Sequence, residues 1–205
     1  MRKVIFSEFL TLDGVMQAPG EQDEDRSNGF QHGGWMVPYM DEERGKAISE
    51  GLAASGGLLL GRGTYEIFAA YWPTAPEDNP IRDTVNALPK YVASTTLSEP
   101  LEWQNSTLLK GDVAEEVAQL KEQPGGDLLV IGSGGLAQTL MEHGLVDEYQ
   151  LMIHPLILGS GKRLFRDGGM RHALRLVDVS TTETGVLIAT YEPADRTPED
   201  SAARR

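Results

Sequence analysis

The chain has 205 residues, 40% of them apolar, with 18 Lys plus Arg against 31 Asp plus Glu and a formal net charge of −13. That charge repels nucleic-acid phosphates and anionic lipid surfaces, so neither nucleic acid nor membrane is expected as a partner. There is no cysteine, which excludes disulfides, thiolate nucleophiles and thiolate metal sites; the four histidines, at 32, 143, 154 and 172, lack zinc-type spacing, and no metal is expected.

The first residues, MRKVIFSEFLTLDG, carry a basic pair, but Ser7 and Glu8 interrupt the apolar run and no small-residue cleavage site follows. They read as a first strand, and a cytoplasmic location is expected. No apolar stretch is long enough to span a bilayer. Short apolar or alternating runs bounded by Gly, Pro or Asp predict strands over 4–10, 58–60, 91–94, 128–131, 149–154, 174–180 and 186–191. Helices are expected over 41–54, 64–70, 81–87, 113–121 and 136–143, the first opening on an acidic turn suited to a helix N-terminus. Strand and helix alternate up to Leu145, which predicts an α/β fold with a largely parallel sheet covered on both faces. Beyond Asp147 the strands follow one another directly, so the sheet is expected to finish antiparallel, with a hairpin around Thr184 and Gly185. Residues 17–34, polar and glycine-rich, read as a long mobile loop. One domain is expected over 1–192, followed by a disordered tail, PADRTPEDSAARR, over 193–205.

Three strand ends carry chemistry. LLLGRGTYE at 58–66 is an apolar strand, a glycine turn holding an arginine, and a helix start. Such a turn exposes backbone N–H groups and the positive end of a helix dipole, which together bind anions. Its arginine adds a bidentate donor that favours the 2′-phosphate of NADP over the bare ribose of NAD. LLVIGSGG at 128–135 repeats the design, and KYVASTTL at 90–97 ends in three hydroxyl residues able to bond phosphate or ribose oxygens. In a parallel sheet these ends converge on one edge, where ligands bind. Two rival motifs fail: GSGG does not continue into the dinucleotide fingerprint GxGxxG, and ILGSGKRLF is preceded by Leu156 at the first P-loop glycine and has Arg163 at the magnesium-binding Ser/Thr.

The order TLDG at 11–14, LLLGRGTYE at 58–66, ASTTL at 93–97 and VIGSGGLAQTLMEHGLVDEYQLMIHPLILGSGKRLF at 130–165 resembles the dihydrofolate-reductase-like family. That family includes the C-terminal reductase domain of bifunctional riboflavin-pathway deaminase-reductases. The resemblance implies a central, mostly parallel sheet of about eight strands, commonly a homodimer, and NADPH as cofactor. The NADPH-holding positions it implies are Gly61, Arg62, Gly63, Thr64, Ser94, Thr95, Thr96, Gly132, Ser133, Gly134, Gly135 and Leu136. Two departures bear on substrate. Val15 stands where riboflavin-pathway reductases carry a lysine for the sugar phosphate, and the folate-reductase helix carboxylate falls near Gly45, flanked by Glu42, Glu43 and Glu50 without a match.

Hydride transfer needs a dry slot and a proton donor. Asp13 is the candidate acid; Val15 holds the substrate position of the first loop, and Trp35 and Tyr65 are expected to wall a flat-ring substrate. His154 is expected in the core, and the loop at 158–165 at the surface, as a lid or dimer contact. The expected function is an NADPH-dependent reductase of a small pterin- or pyrimidine-like, imine or carbonyl compound, working without flavin or metal. The alternative is an NADPH-binding sensor or partner protein without turnover; a nucleotide hydrolase or transferase ranks behind both because no carboxylates cluster for magnesium.

Overall fold

The computed structural model describes residues 1–169 and 171–194. Strand β1 (Val4–Thr11) alternates, with Val4, Phe6 and Leu10 buried on one face and Ile5 and Phe9 half-buried on the other. Helix α1 (Glu42–Ala54) is capped by Asp41, whose carboxylate accepts from the Arg44 N–H, and carries Glu42 and Glu43 at the positive end of its dipole. Strand β2 (Ser55–Gly61) buries Leu58, Leu59 and Leu60 completely, as a central strand covered on both faces must. Each such burial contributes about 1.5–3 kcal/mol. Helix α2 (Arg62–Tyr71), helix α3 (Arg82–Ala87), strand β3 (Lys90–Ala93) and strand β4 (Ser106–Leu109) follow. Helix α4 (Val113–Glu122), capped by Asp112, leads to strand β5 (Asp127–Ile131), helix α5 (Gly134–Glu142) and strand β6 (Glu148–His154). Strands β7 (Leu174–Thr181) and β8 (Leu187–Pro193) complete the chain.

The eight strands form one sheet in the order β4-β3-β2-β5-β1-β6-β8-β7. Every pairing among the first six is parallel; β6 with β8 and β7 with β8 are antiparallel. Helices α4 and α5 cover one face, where Val117, Leu120, Leu136 and Leu140 pack on Phe6, Leu128 and Val130. Helices α1, α2 and α3 cover the other, where Leu52, Tyr65 and Val85 pack on Leu58, Leu60, Val92 and Leu129. The dihydrofolate-reductase-like α/β architecture expected from the sequence is the one found. None of the helices among the described residues is long and apolar enough to cross a membrane.

The differences are local. Strand β4 is a four-residue edge piece absent from the expected set. The β7–β8 hairpin turns where expected, with Gly185 at φ +83° and Gly185 N–H bonded to Thr182 O. Residues 17–34 do not lie free: Gln17, Ala18 and Phe30 are buried, Gln17 Nε2 donates to the Asp25 and Ser27 carbonyls, and Lys162 N–H donates to Gln17 Oε1. Pro193 closes β8 and the Ala194 N–H donates to Ala173 O, so the expected tail boundary shifts into the fold; the rest of the expected tail, 195–205, lies outside the described residues.

Candidate cofactor and substrate site

Because β3, β2, β5, β1 and β6 run parallel, their C-terminal ends share one edge of the sheet, and β2 lies between β3 and β5. The GRGT turn, the hydroxyl run and the GSGG turn are therefore immediate neighbours. Gly61 N–H donates to Ser133 Oγ (2.9 Å), Ser133 Oγ donates to Ile131 O (3.0 Å), and Ser133 N–H donates to Thr64 Oγ1 (2.9 Å). Ser133 and Thr64 thus lock the two turns together instead of offering their hydroxyls outward. The lock needs left-handed backbone at Gly132 and Ser133, both at φ +58°, and a Cβ on Gly132 would stand 3.0 Å from Thr64 Oγ1.

Helices α2 and α5 both start from this lock. Neither has a side-chain cap or an acidic residue in its first turn. Their first-turn amides and positive dipole ends are left for another acceptor. A Cβ on Gly63 or Gly135 would meet nothing within 4 Å, so the backbone there can be closely approached. Leu136 is buried and contributes only its amide. Arg62 is exposed, 3.7 Å from Glu66. A second cation, which the sequence reading did not single out, stands on the α5 side: the Arg166 guanidinium lies 3.9 Å from where a Gly134 Cβ would be. At the end of β3, Ser94 Oγ accepts the Thr96 and Leu97 N–H groups, while Thr95 and Thr96 are exposed. The donor set fits a pyrophosphate-bearing nucleotide, since the two uncapped helix starts lie side by side, with Arg62 on one and Arg166 beside the other.

Other expected roles change. Both carboxylate oxygens of Asp13 serve the protein itself: Oδ1 accepts from Thr11 Oγ1 (2.6 Å) and Leu158 N–H (3.2 Å), and Oδ2 accepts from Gly159 N–H (2.9 Å). Burial opposes ionisation, but these hydrogen bonds outweigh it and hold the carboxyl at about 2. Asp13 is therefore an ionised clamp between the loops after β1 and β6. Val15 is fully buried with Ala18, Phe30 and Trp35, and pairs backbone to backbone with Arg163, so it is packing and not a substrate contact. Tyr65 points into the α1–α3 face and accepts the Trp103 N–H with its hydroxyl (3.1 Å), away from any slot. Trp35 does reach the β1–β6 end, its ring 5.0 Å from that of His154 and its Nε1 donating to Gln17 O.

His154, the last residue of β6, is completely buried. Its Nδ1 faces the carbonyls of Leu10 (3.1 Å) and Met152 (3.0 Å) and must carry the proton, which leaves Nε2 a bare, unpartnered acceptor. Burial and the nearby Arg44 charge push its pKa down to about 4, so the ring is neutral. Arg44, in the first turn of α1, is also completely buried, over the Phe9 ring at 5.0 Å. Between α1 and the sheet, a cavity of about 30 Å³ is lined by Ser7, Phe9, Ile48, Gly51 and Gln150 among others.

The protein YyaP of Bacillus subtilis strain 168 is 32% identical over 195 residues, covering 93% of this chain and 94% of YyaP. A chain from Shewanella sp. PV-4 described as a riboflavin biosynthesis protein superimposes with a TM-score of 0.65 at 20% identity, over 94% of this chain and 99% of its own. Dihydrofolate reductase from Enterococcus faecalis, complexed with NADP(H), gives a TM-score of 0.59 at 14% identity, over 94% of this chain and 97% of its own. The family model of the RibD C-terminal domain matches residues 2–188. Carrying the fold, the paired glycine turns and this match over nearly its whole length, the chain belongs to the RibD C-terminal domain family.

Proposed function

We propose that this protein is an NADPH-dependent reductase of a small heteroaromatic, imine or carbonyl compound. The observation that carries this reading is the pair of uncapped helix N-termini, α2 and α5, locked side by side and flanked by Arg62 and Arg166. The first-turn amides of α5 and Arg166 would hold the pyrophosphate. Arg62 would hold the 2′-phosphate, exchanging its 3.7 Å contact with Glu66 for a stronger charged partner. Thr95 and Thr96 stand beside them for ribose oxygens. When bound, NADPH supplies the hydride. Phe9 and His154, near the ends of β1 and β6, and Trp35 packed against His154 would form the wall that excludes water from the reacting carbon.

Calorimetric titration with NADPH and with NADH tests the reading. Micromolar binding of NADPH and clearly weaker binding of NADH are expected; binding of neither would overturn it. The second reading, binding without turnover, is favoured by the engagement of Asp13 in loop anchoring, which removes the candidate acid. NADPH that binds but is not oxidised across a panel of pterins, flavins and carbonyls would select it.

The reductase would act as a cytoplasmic homodimer. Strand β7 lies at the sheet edge with Leu176, Val177 and Val179 about half exposed on its two faces, an apolar edge that a second copy would cover. Sedimentation equilibrium is expected to return twice the chain mass, and a monomer at all concentrations would contradict the dimer.

A further inference from the structure

Among the buried cations of the described residues, Arg44 has the poorest set of partners. Lys121 is paired with Asp147 at 2.6 Å, Lys90 donates to the carbonyls of Asn86 and Gln104 and sits over the Trp103 ring, and Arg2 donates Nε to the Gly126 carbonyl and sits over the Tyr91 ring. Arg44 Nη1 reaches the Met40 sulfur (2.7 Å) and, at 3.4 Å, the Met36 carbonyl; Nη2 reaches the Met36 sulfur (2.7 Å); Nε has no partner. Thioether sulfur is a weak acceptor for a guanidinium with five donors. The neighbouring carboxylate, Asp41, spends its oxygens on the Arg44 backbone N–H and on Thr184. A buried charge with such partners is costly to the fold unless something else completes it.

What surrounds Arg44 has the form of a ligand site. Phe9 lies under the guanidinium, and Phe9, Trp35 and Tyr39 all stand edge-on to His154, whose bare Nε2 is the second unpartnered buried polar atom here. Phe9 also lines the small cavity between α1 and the sheet. The cover is thin: the 3-10 turn Val37–Tyr39 with Met36 and Met40, of which Val37 is 53% and Met40 49% exposed. Methionine side chains have three rotatable bonds and move aside at little cost.

We infer that Arg44 is the substrate-recognition cation of this protein and that the substrate is a small planar carboxylate. Its carboxylate replaces the Met36 and Met40 sulfurs on the guanidinium, and its ring lies among Phe9, Trp35 and Tyr39, with any ring N–H or O–H donated to His154 Nε2. The carboxylate site stands on the side-chain geometry alone; only its naming as a substrate site rests on the reductase reading above.

The test is calorimetry of the full-length protein, saturated with NADPH, against a panel of aromatic carboxylates headed by benzoate, each paired with its neutral amide. At least one acid is expected to bind tenfold or more tighter than its amide. Arg44→Gln is expected to abolish that preference and Arg44→Lys to restore part of it, while the NADPH affinity of the same variants reports whether the fold survives. Equal binding of acid and amide by the unaltered protein, or no acid binding below millimolar concentration, would overturn the inference whatever the variants do and would leave the cofactor reading intact. Acid binding lost with Arg44→Gln in a protein that never binds NADPH would sink the cofactor reading instead and keep the carboxylate site.

Discussion

Replacing Glu8 with glutamine is expected to stabilise the protein by about 4 kcal/mol near pH 8 and to change it little near pH 4. Glu8 lies in β1 on the face that buries Phe6 and Leu10, and is 1% exposed. Its Oε1 accepts the Phe9 N–H at 3.0 Å, and Oε2 has no partner. Burial drives its pKa from 4.5 to about 8; the Phe9 N–H and, more weakly, Gly132 N–H resist, and Glu24 adds to the rise. The sign follows from proton binding. Above 4.5 the unfolded chain releases this proton while the folded chain keeps it up to about 8, so Glu8 withdraws stability as pH rises through that window. His154 acts oppositely: its folded pKa of about 4 lies below the ordinary 6.5, so its contribution grows as pH rises from about 4 to 6.5. The two slopes oppose each other where the windows overlap, and above about 6.5 the Glu8 slope continues without that of His154. Denaturant unfolding of the parent and Glu8→Gln across this range would show it. A variant as sensitive as the parent between about pH 6.5 and 8 would mean that Glu8 is ionised in the fold.

Glu8 also shows how much was readable in advance. The period-2 alternation of Val4, Phe6, Glu8 and Leu10 places a carboxyl on the core face of β1, a signal present in the bare sequence. The apolar run at Leu58–Leu60 and the strand–glycine–helix order at GRGT and GSGG announced a parallel sheet with the two glycine turns at one edge, because those patterns are local. Strand β4 was missed because STLL is four residues long and begins with two polar ones, too short for a period. The anchoring of Asp13 was not legible because its partners Leu158 and Gly159 are about 145 residues away in the chain. Tyr65 failed for a similar reason: a helix period says which residues share a stripe, not that the stripe faces Trp103. Arg44 lies in EERGK, which reads as a solvated helix start, and only the packing of the Met36–Met40 segment over it shows a buried charge. Arg166 belongs to the described site solely because the chain after β6 folds back beside α5.

The site at the paired turns makes a second large prediction, which separates its two cations. Arg62 stands at the start of α2 and Arg166 beside the start of α5, so on the proposed function they would address different parts of one nucleotide. If Arg62 reads the 2′-phosphate, Arg62→Ala removes a charged hydrogen bond worth about 1.5–3 kcal/mol, a tenfold or greater loss for NADPH, and leaves NADH nearly untouched. If Arg166 serves the pyrophosphate, which both nucleotides carry, Arg166→Ala weakens NADPH and NADH by similar factors. Calorimetric titration of the parent and these two variants with both nucleotides is the most direct measurement of the central claim. The account predicts loss of NADPH preference in Arg62→Ala and a common loss in Arg166→Ala. Equal losses of both nucleotides in Arg62→Ala, or unaltered NADPH affinity in both variants, would contradict a dinucleotide held between α2 and α5.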